Sequence, residues 1–218
     1  MPYRIIKERL FLIYNSFRTQ QFVPFKRLIC VRTPKEINRM NGKELENFIK
    51  RAKKGDAHAF GIVCGGLSQD AYRFALFYMK NPHDAEDAVQ DACLKAWQKL
   101  PDLKKTEAFR TWFFKILSNI CKSSLSSLKV VVPTEEIPDA PAENENTELK
   151  FEMRELLESL PPDDRRIVLL SVVAGFSSRE IAVITGSNAN TVRSRLSRAL
   201  RSLKAQISTE VQTNETAI

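Results

Sequence analysis

Ser177-Ser178-Arg179-Glu180-Ile181-Ala182-Val183-Ile184-Thr185-Gly186-Ser187, followed by Asn188-Ala189-Asn190-Thr191-Val192-Arg193-Ser194-Arg195-Leu196, decides how the chain folds. Ser177 with Glu180 three residues later is a capping box, so a short helix opens at Ser178 and runs through Ile184. Gly175, just before it, can take the left-handed conformation that ends a helix. Thr185-Gly186-Ser187 is a tight turn, and Ser187 is expected to cap a second helix that reaches about Gln206. Two helices joined by so short a glycine-containing turn form a helix-turn-helix, whose second helix enters the major groove of duplex DNA.

On that second helix Val192, Leu196, Ala199, Leu200, Leu203 and Ile207 form an apolar stripe. The opposite face carries Ser194, Ser197, Arg198 and Arg201, flanked by Arg193 and Arg195. Arginine can bridge guanine O6 and N7, while serines and further arginines grip phosphate. An arginine-rich helix alone is more often a solvated surface; the capped helix and tight turn before it favour DNA. Upstream, Leu160-Pro161-Pro162-Asp163-Asp164 ends one helix and starts another, with Pro162 suited to a first helical turn.

Nearer the N-terminus, Asn81-Pro82 breaks a helix and Asp84 is the expected N-cap of the next, which runs to Leu100. Ala85, Ala88, Val89, Ala92, Cys93, Ala96, Trp97 and Leu100 form its core stripe. Asp87, Gln90, Asp91, Leu94 and Gln98 face the other way, as a solvated acidic face or as a docking surface for a basic protein. The next helix, Phe109 to about Lys122, has Phe109, Trp112, Phe113, Ile116, Leu117 and Ile120 on its core side, leaving Thr111, Phe114, Lys115, Ser118 and Lys122 outward. Cations beside an exposed ring are what single-stranded DNA requires, because phosphates need charge and unstacked bases need π surfaces. The loop Pro101-Asp102-Leu103-Lys104-Lys105-Thr106-Glu107 has the short polar groups to line a pocket for an extruded base. Gly61, Gly65 and Gly66 each cost a helix about 1 kcal/mol relative to alanine, so a break or kink is expected there.

The chain has 218 residues and a formal charge of +8, of which residues 1 to 39 hold +7 through nine Lys or Arg against two acids. The rest is nearly balanced, so a nucleic-acid argument must rest on particular helix faces. Residues 1–40 are a basic leader with two open readings. Either they are not translated and Met40 is the start, or they form a disordered segment whose basic and aromatic residues touch lipid headgroups or nucleic acid. A linker spans 123–147, where Glu135, Glu136, Asp139, Glu143 and Glu145 accumulate among Pro133, Pro138 and Pro141. Residues 208–218 read as a frayed tail. Cys30, Cys64, Cys93 and Cys121 are spread along the chain with only His58 and His83 as nitrogen ligands, so neither a metal site nor a disulfide framework is expected. No cofactor, catalytic residue or membrane-spanning helix is expected.

Taken together these residues resemble the sigma subunits of bacterial RNA polymerase, in the small extracytoplasmic-function branch. Asp84-Ala85-Glu86-Asp87-Ala88-Val89-Gln90-Asp91 with Leu94-Lys95-Ala96-Trp97 is similar to the family's polymerase-clamp motif. Phe109-Arg110-Thr111-Trp112-Phe113, with Ile116 and Asn119, resembles its −10 helix. Leu160-Pro161-Pro162 with Arg165, Glu180-Ile181-Ala182 and Thr191 through Ala199 resemble its −35 domain, although the family's usual glycine before Thr191 is Asn190 here. The resemblance implies an all-α chain of two small helical domains, region 2 over 43–122 and region 4 over 148–207, joined by a flexible acidic linker. It implies polymerase contacts at Asp84, Asp87, Gln90, Asp91 and Leu94. The −10 contacts it implies are Lys104, Lys105, Thr111, Phe114, Lys115, Ser118, Asn119 and Lys122. The −35 contacts are Asn190, Arg193, Ser194, Arg195, Ser197, Arg198 and Arg201. The implied partners are core RNA polymerase, promoter DNA and an anti-sigma factor, and the implied location is the cytoplasm, where an anti-sigma factor can hold the protein at the membrane. Two rival readings are a stand-alone helix-turn-helix activator, which leaves the first helical block unexplained, and a membrane-tethered interaction protein.

Overall fold

A computed structural model describes the backbone of residues 42–128 and 155–215, with side chains to residues 125 and 207. The basic leader, most of the acidic linker and the last three residues lie outside the described residues. Among those described there is no strand, and no helix is long and apolar enough to cross a membrane.

In the first block, α1 (Gly42–Lys53) buries Ile49 and Ala52. It ends at Gly55, whose φ of +93° favours glycine. Asp56 then caps α2 (Ala57–Met79): its Oδ1 accepts from the Ala59 N–H at 2.9 Å and its Oδ2 from Arg51 at 2.7 Å. Those hydrogen bonds, the backbone one foremost, hold the Asp56 carboxyl below its ordinary pKa. Contrary to expectation, α2 is unbroken through Gly61, Gly65 and Gly66. Burial of Ile62, Val63 and Cys64 within the same turns outweighs the glycine penalty, and the Ser68 hydroxyl donates to the Gly65 carbonyl at 2.8 Å.

The end of α2 is set by Lys80, at φ +68°, whose N–H returns to the Leu76 carbonyl. The cap of the following helix is Asn81 and not Asp84: its Oδ1 accepts from the His83 and Asp84 N–H groups at 2.8 and 3.2 Å. Pro82, lacking an N–H that would need a partner, occupies the first turn, so α3 (Pro82–Lys99) begins earlier than expected. Ala85, Ala88, Ala92 and Ala96 on α3 are all buried. Two single 3-10 turns, Leu100–Asp102 and Thr106–Ala108, lead into α4 (Phe109–Leu128). Between them Leu103 is buried and its carbonyl accepts from Lys53 Nζ at 2.6 Å. Aromatic packing joins α2 to α4, with Phe74 edge-on to Phe114 at 6.1 Å.

In the second block residues 155–158 are helical, and Leu156, Leu157 and Leu160 are buried. Arg165, on α5 (Pro162–Val172), donates to the carbonyls of Leu157 at 2.9 Å, Glu158 at 3.2 Å and Leu160 at 3.4 Å. A buried guanidinium thus satisfies acceptors that a helix end leaves open. As expected, Pro162 sits in the first turn of α5 and Gly175 takes a φ of +70°. The capping box is present in α6 (Ser178–Thr185): Ser177 Oγ accepts from the Glu180 N–H, and the Ser177 N–H donates to Glu180 Oε2 at 2.8 Å. Gly186, at φ +71°, makes the turn.

Helix α7 (Ala189–Glu215) departs from expectation at both ends. Its cap is Asn188 and not Ser187, since Asn188 Oδ1 accepts from the Asn190 N–H at 2.8 Å and its carbonyl takes the first intrahelical bond from Val192. Ser187 instead donates its N–H to the Ala182 carbonyl, completing the end of α6. At the other end the backbone stays helical to Glu215, through residues read as a frayed tail. Val192, Ala199, Leu200, Leu203 and Ile207 are buried, and α7 packs on α5.

Removing the Ser177 hydroxyl takes away one arm of the capping box. Ser177→Ala should lower unfolding free energy by about 1 kcal/mol, read from denaturant melts, with Ser177→Asp retaining most of the wild-type stability.

Candidate nucleic-acid and polymerase interfaces

The outer face of α3 follows from the alanine stripe behind it. With Ala85, Ala88, Ala92 and Ala96 turned inward, helical period leaves Asp87, Gln90, Asp91 and Leu94 exposed on one side. Leu94 is 62% exposed, a large apolar side chain ringed by acids and an amide. Asp84 is half-buried in the first turn, where a carboxylate also suits the helix dipole.

On α4 the exposed face holds Lys115, Asn119 and Lys122, with Thr111 and Trp112 half-buried at its margins. Two residues expected there are elsewhere. Phe114 is fully buried between Phe74 and Phe113, and Arg110 lies 5.5 Å from its ring centroid. Ser118, one turn further, is fully buried as well. The physical reason is the width of the core arc: α4 packs against both α2 and α3, so it needs a broader apolar surface than one stripe supplies. Trp112, read from sequence as core, is the aromatic nearest the cations, about 60° around the helix from Lys115. Its ring meets Phe109 at 5.8 Å. The adjacent pair Phe113-Phe114 was the available signal, because two neighbouring apolar residues both inside shift the outward face towards Trp112. Lys104 and Lys105 are exposed on the loop between the 3-10 turns.

On α7 the exposed face presents Arg193, Ser194, Ser197, Arg198 and Arg201, and Asn190 is exposed near the start. Asn190 Oδ1 accepts from Arg193 Nη1 at 3.2 Å, and Arg201 Nε reaches the Ser197 carbonyl at 3.4 Å. The Ser194 hydroxyl donates to the Thr191 carbonyl at 3.0 Å. Arg195 differs from the others. It is half-buried and its Nε donates to Asp164 Oδ1 at 2.5 Å, tying α7 to the start of α5. Its charge is therefore directed into the fold and away from the exposed arginine face.

Comparison with known proteins bears on these faces. The family model described as Sigma-70 region 2 matches residues 67–130, and that of Sigma-70, region 4 matches residues 150–203. RNA polymerase sigma factor SigV of Bacillus subtilis is 35% identical over 161 residues, covering 72% of this chain and 97% of the relative. The chain belongs to the extracytoplasmic-function sigma factors. The sigma-E factor of Escherichia coli, an ECF RNA polymerase sigma factor, is 30% identical over 176 residues, covering 73% of this chain and 92% of that one. Among solved structures, the sigma factor RpoE bound to the anti-sigma factor NepR, from Bartonella quintana, matches at 25% identity with a TM-score of 0.54, covering 76% of this chain and 95% of that one. CnrH, solved with the cytosolic domain of CnrY, shares the fold at 23% identity and a TM-score of 0.61. As a sigma factor the chain directs transcription initiation. The region 2 match takes in α3, α4 and the loop before it, and the region 4 match takes in α5, α6 and the whole α7 arginine face.

Burial separates two adjacent α4 residues that the sequence placed together. Phe114→Ala should destabilise the first block by about 3 to 5 kcal/mol in thermal or denaturant unfolding, whereas Lys115→Ala should stay within about 0.5 kcal/mol.

Proposed function

We propose that the sigma factor divides promoter recognition between its two blocks and docks on core polymerase through α3. Asp87, Gln90, Asp91 and Leu94, with Asp84 at the margin, form the polymerase face. A lone exposed leucine within an acidic surface suits a basic, grooved protein partner better than solvent. Helix α7 lies in the −35 major groove, where Arg198 and Arg201 reach bases while Arg193, Ser194, Ser197 and Asn190 grip the backbone. Lys115, Asn119 and Lys122 hold the displaced −10 strand, with Lys104, Lys105 and Thr111 beside them and Trp112 as the ring on which a base can stack. Opening DNA costs a few kcal/mol per disrupted stacking step, and these contacts offset it because they exist only for the separated strand.

No covalent step is assigned to the chain; it is an initiation factor and not an enzyme. It works in the cytoplasm, beside its polymerase. An anti-sigma factor is its inhibitory partner, a reading supported by the NepR complex of a structural relative. The observation that carries the whole proposal is the pairing, in one small block, of an acidic face around Leu94 on α3 with a basic face around Lys115 on α4. A stand-alone activator has no use for the first of these.

Asp87→Lys with Asp91→Lys should abolish co-purification with core polymerase while circular dichroism stays unchanged; normal retention would remove α3 from the interface. Arg198→Ala and Arg201→Ala should each weaken −35 duplex binding by about 1 to 3 kcal/mol where a base contact is lost. Lys115→Ala with Lys122→Ala should leave that duplex affinity intact and reduce permanganate-detected melting by the holoenzyme.

A further inference from the structure

Helix α1 precedes the residues matched to region 2, and promoter recognition as proposed makes no use of it. Its last residue nevertheless holds a distant part of the chain. Lys53 Nζ donates to the Leu103 carbonyl, 50 residues further on, at 2.6 Å. Leu103 lies in the loop whose Lys104 and Lys105 are assigned above to the displaced −10 strand. The ends of that loop close on themselves: the Leu103 N–H donates to the Leu100 carbonyl at 3.1 Å, and the Ala108 N–H to the Lys105 carbonyl at 3.2 Å. Its middle, Leu103 to Lys105, falls between the two 3-10 turns, so each residue ordered there costs backbone entropy that no helical ladder offsets. The buried Leu103 side chain and the bond to its carbonyl oppose that cost. Because the donor is an ammonium in a half-buried setting, the bond is charge-assisted, roughly twice as strong as a neutral one.

The donor is itself anchored. Lys53 follows the buried Ala52, and α1 ends at once in the Gly55 turn, where the Lys54 and Gly55 N–H groups donate to the Arg51 and Ala52 carbonyls at 2.9 Å each. Arg51 is fastened in turn to Asp56 at 2.7 Å, so the end of α1 is tied to the cap of α2. We propose that Lys53 is a positioning residue for the −10 contacts: through the Leu103 carbonyl it holds the loop in one arrangement before DNA arrives. The inference rests on the assignment of that loop to the −10 strand. Such preorganisation bears on selectivity more than on grip. Loose lysines still find phosphates, which recur along any strand, whereas a pocket that must match one extruded base needs fixed walls.

The test compares full chains carrying Lys53→Met, which keeps an apolar stem without a donor, and Lys53→Arg, which keeps a charged donor. In the free chain, Lys53→Met should quicken amide hydrogen exchange over residues 101–108 by about fivefold or more, and Lys53→Arg should restore most of the protection. In holoenzyme, a labelled single strand from the −10 region of a promoter that the wild type melts is titrated beside its single-base variants. Lys53→Met should lower the largest affinity ratio in that set by about threefold to tenfold, part of what a base contact carries, with core polymerase affinity unchanged and the ratio recovered in Lys53→Arg. Unaltered exchange over 101–108, or quickened exchange with the base preference intact, would overturn the proposal. So would an intact preference with a salt slope shallower by about 0.7, which marks a lysine that binds phosphate directly. Should Lys104→Ala with Lys105→Ala bind the strand like the wild type, the −10 assignment of the loop fails and the proposal with it, a result told apart from failure of the Lys53 tether by the exchange readout.

Discussion

Helix α3 seals the first block while contributing little bulk to it. Its inward positions are Ala85, Ala88, Ala92 and Ala96, none more than 3% exposed, with Val89 and Cys93 beside them. Small side chains let helices approach towards the lower end of the usual 8–10 Å spacing, so α2 and α4 must supply the volume. They do so with Phe74, Tyr78, Phe113 and Phe114, whose rings interlock. This arrangement fixes which way both outer faces point. A bulkier residue in the alanine seam would push α3 off its neighbours, and the Leu94 surface would shift with it.

Where the chain carries explicit backbone instructions, the sequence was sufficient. The capping box at Ser177, the left-handed glycines 175 and 186 and the first-turn Pro162 each have one cheap conformation, and together they specify the helix-turn-helix before any packing is known. The outward residues of α3 were legible for a related reason: an alanine stripe leaves no doubt about which side is buried. The α4 face was harder. A single stripe through Phe109, Phe113 and Leu117 puts Phe114 outside, but a helix wedged against two others needs a wide arc, and arc width is a tertiary property. The same limit explains α2, where the glycines argued for a break that burial of their neighbours overrules. Asn188 and Ser187 are both good caps by type, and the choice between them fell to Ser187's role in finishing α6.

The second block uses arginine in two different ways. Arg165 is almost wholly inside, and its fan of donors is consumed by three carbonyls at the end of the preceding helical segment. Planar geometry suits it to that task, since one side chain can serve acceptors on successive residues. On α7, by contrast, Arg198 and Arg201 stand exposed on a helix whose opposite side is held by Leu200 and Leu203. A helix already held in place beneath exposed cations lowers the ordering cost of the docking proposed for it.

The Arg195–Asp164 ion pair has a thermodynamic corollary. Duplex binding by basic proteins is driven largely by release of condensed cations, and the logarithm of affinity falls with the logarithm of salt by about 0.9 for each phosphate neutralised. Four arginines lie between Arg193 and Arg201, yet one of them already has its counter-charge inside the protein. In the duplex complex proposed for this helix, the steepness of the salt dependence would therefore belong to three arginines, with the fourth held against α5. Asp164 stands to Arg195 as a phosphate would, a counter-charge supplied by the fold itself.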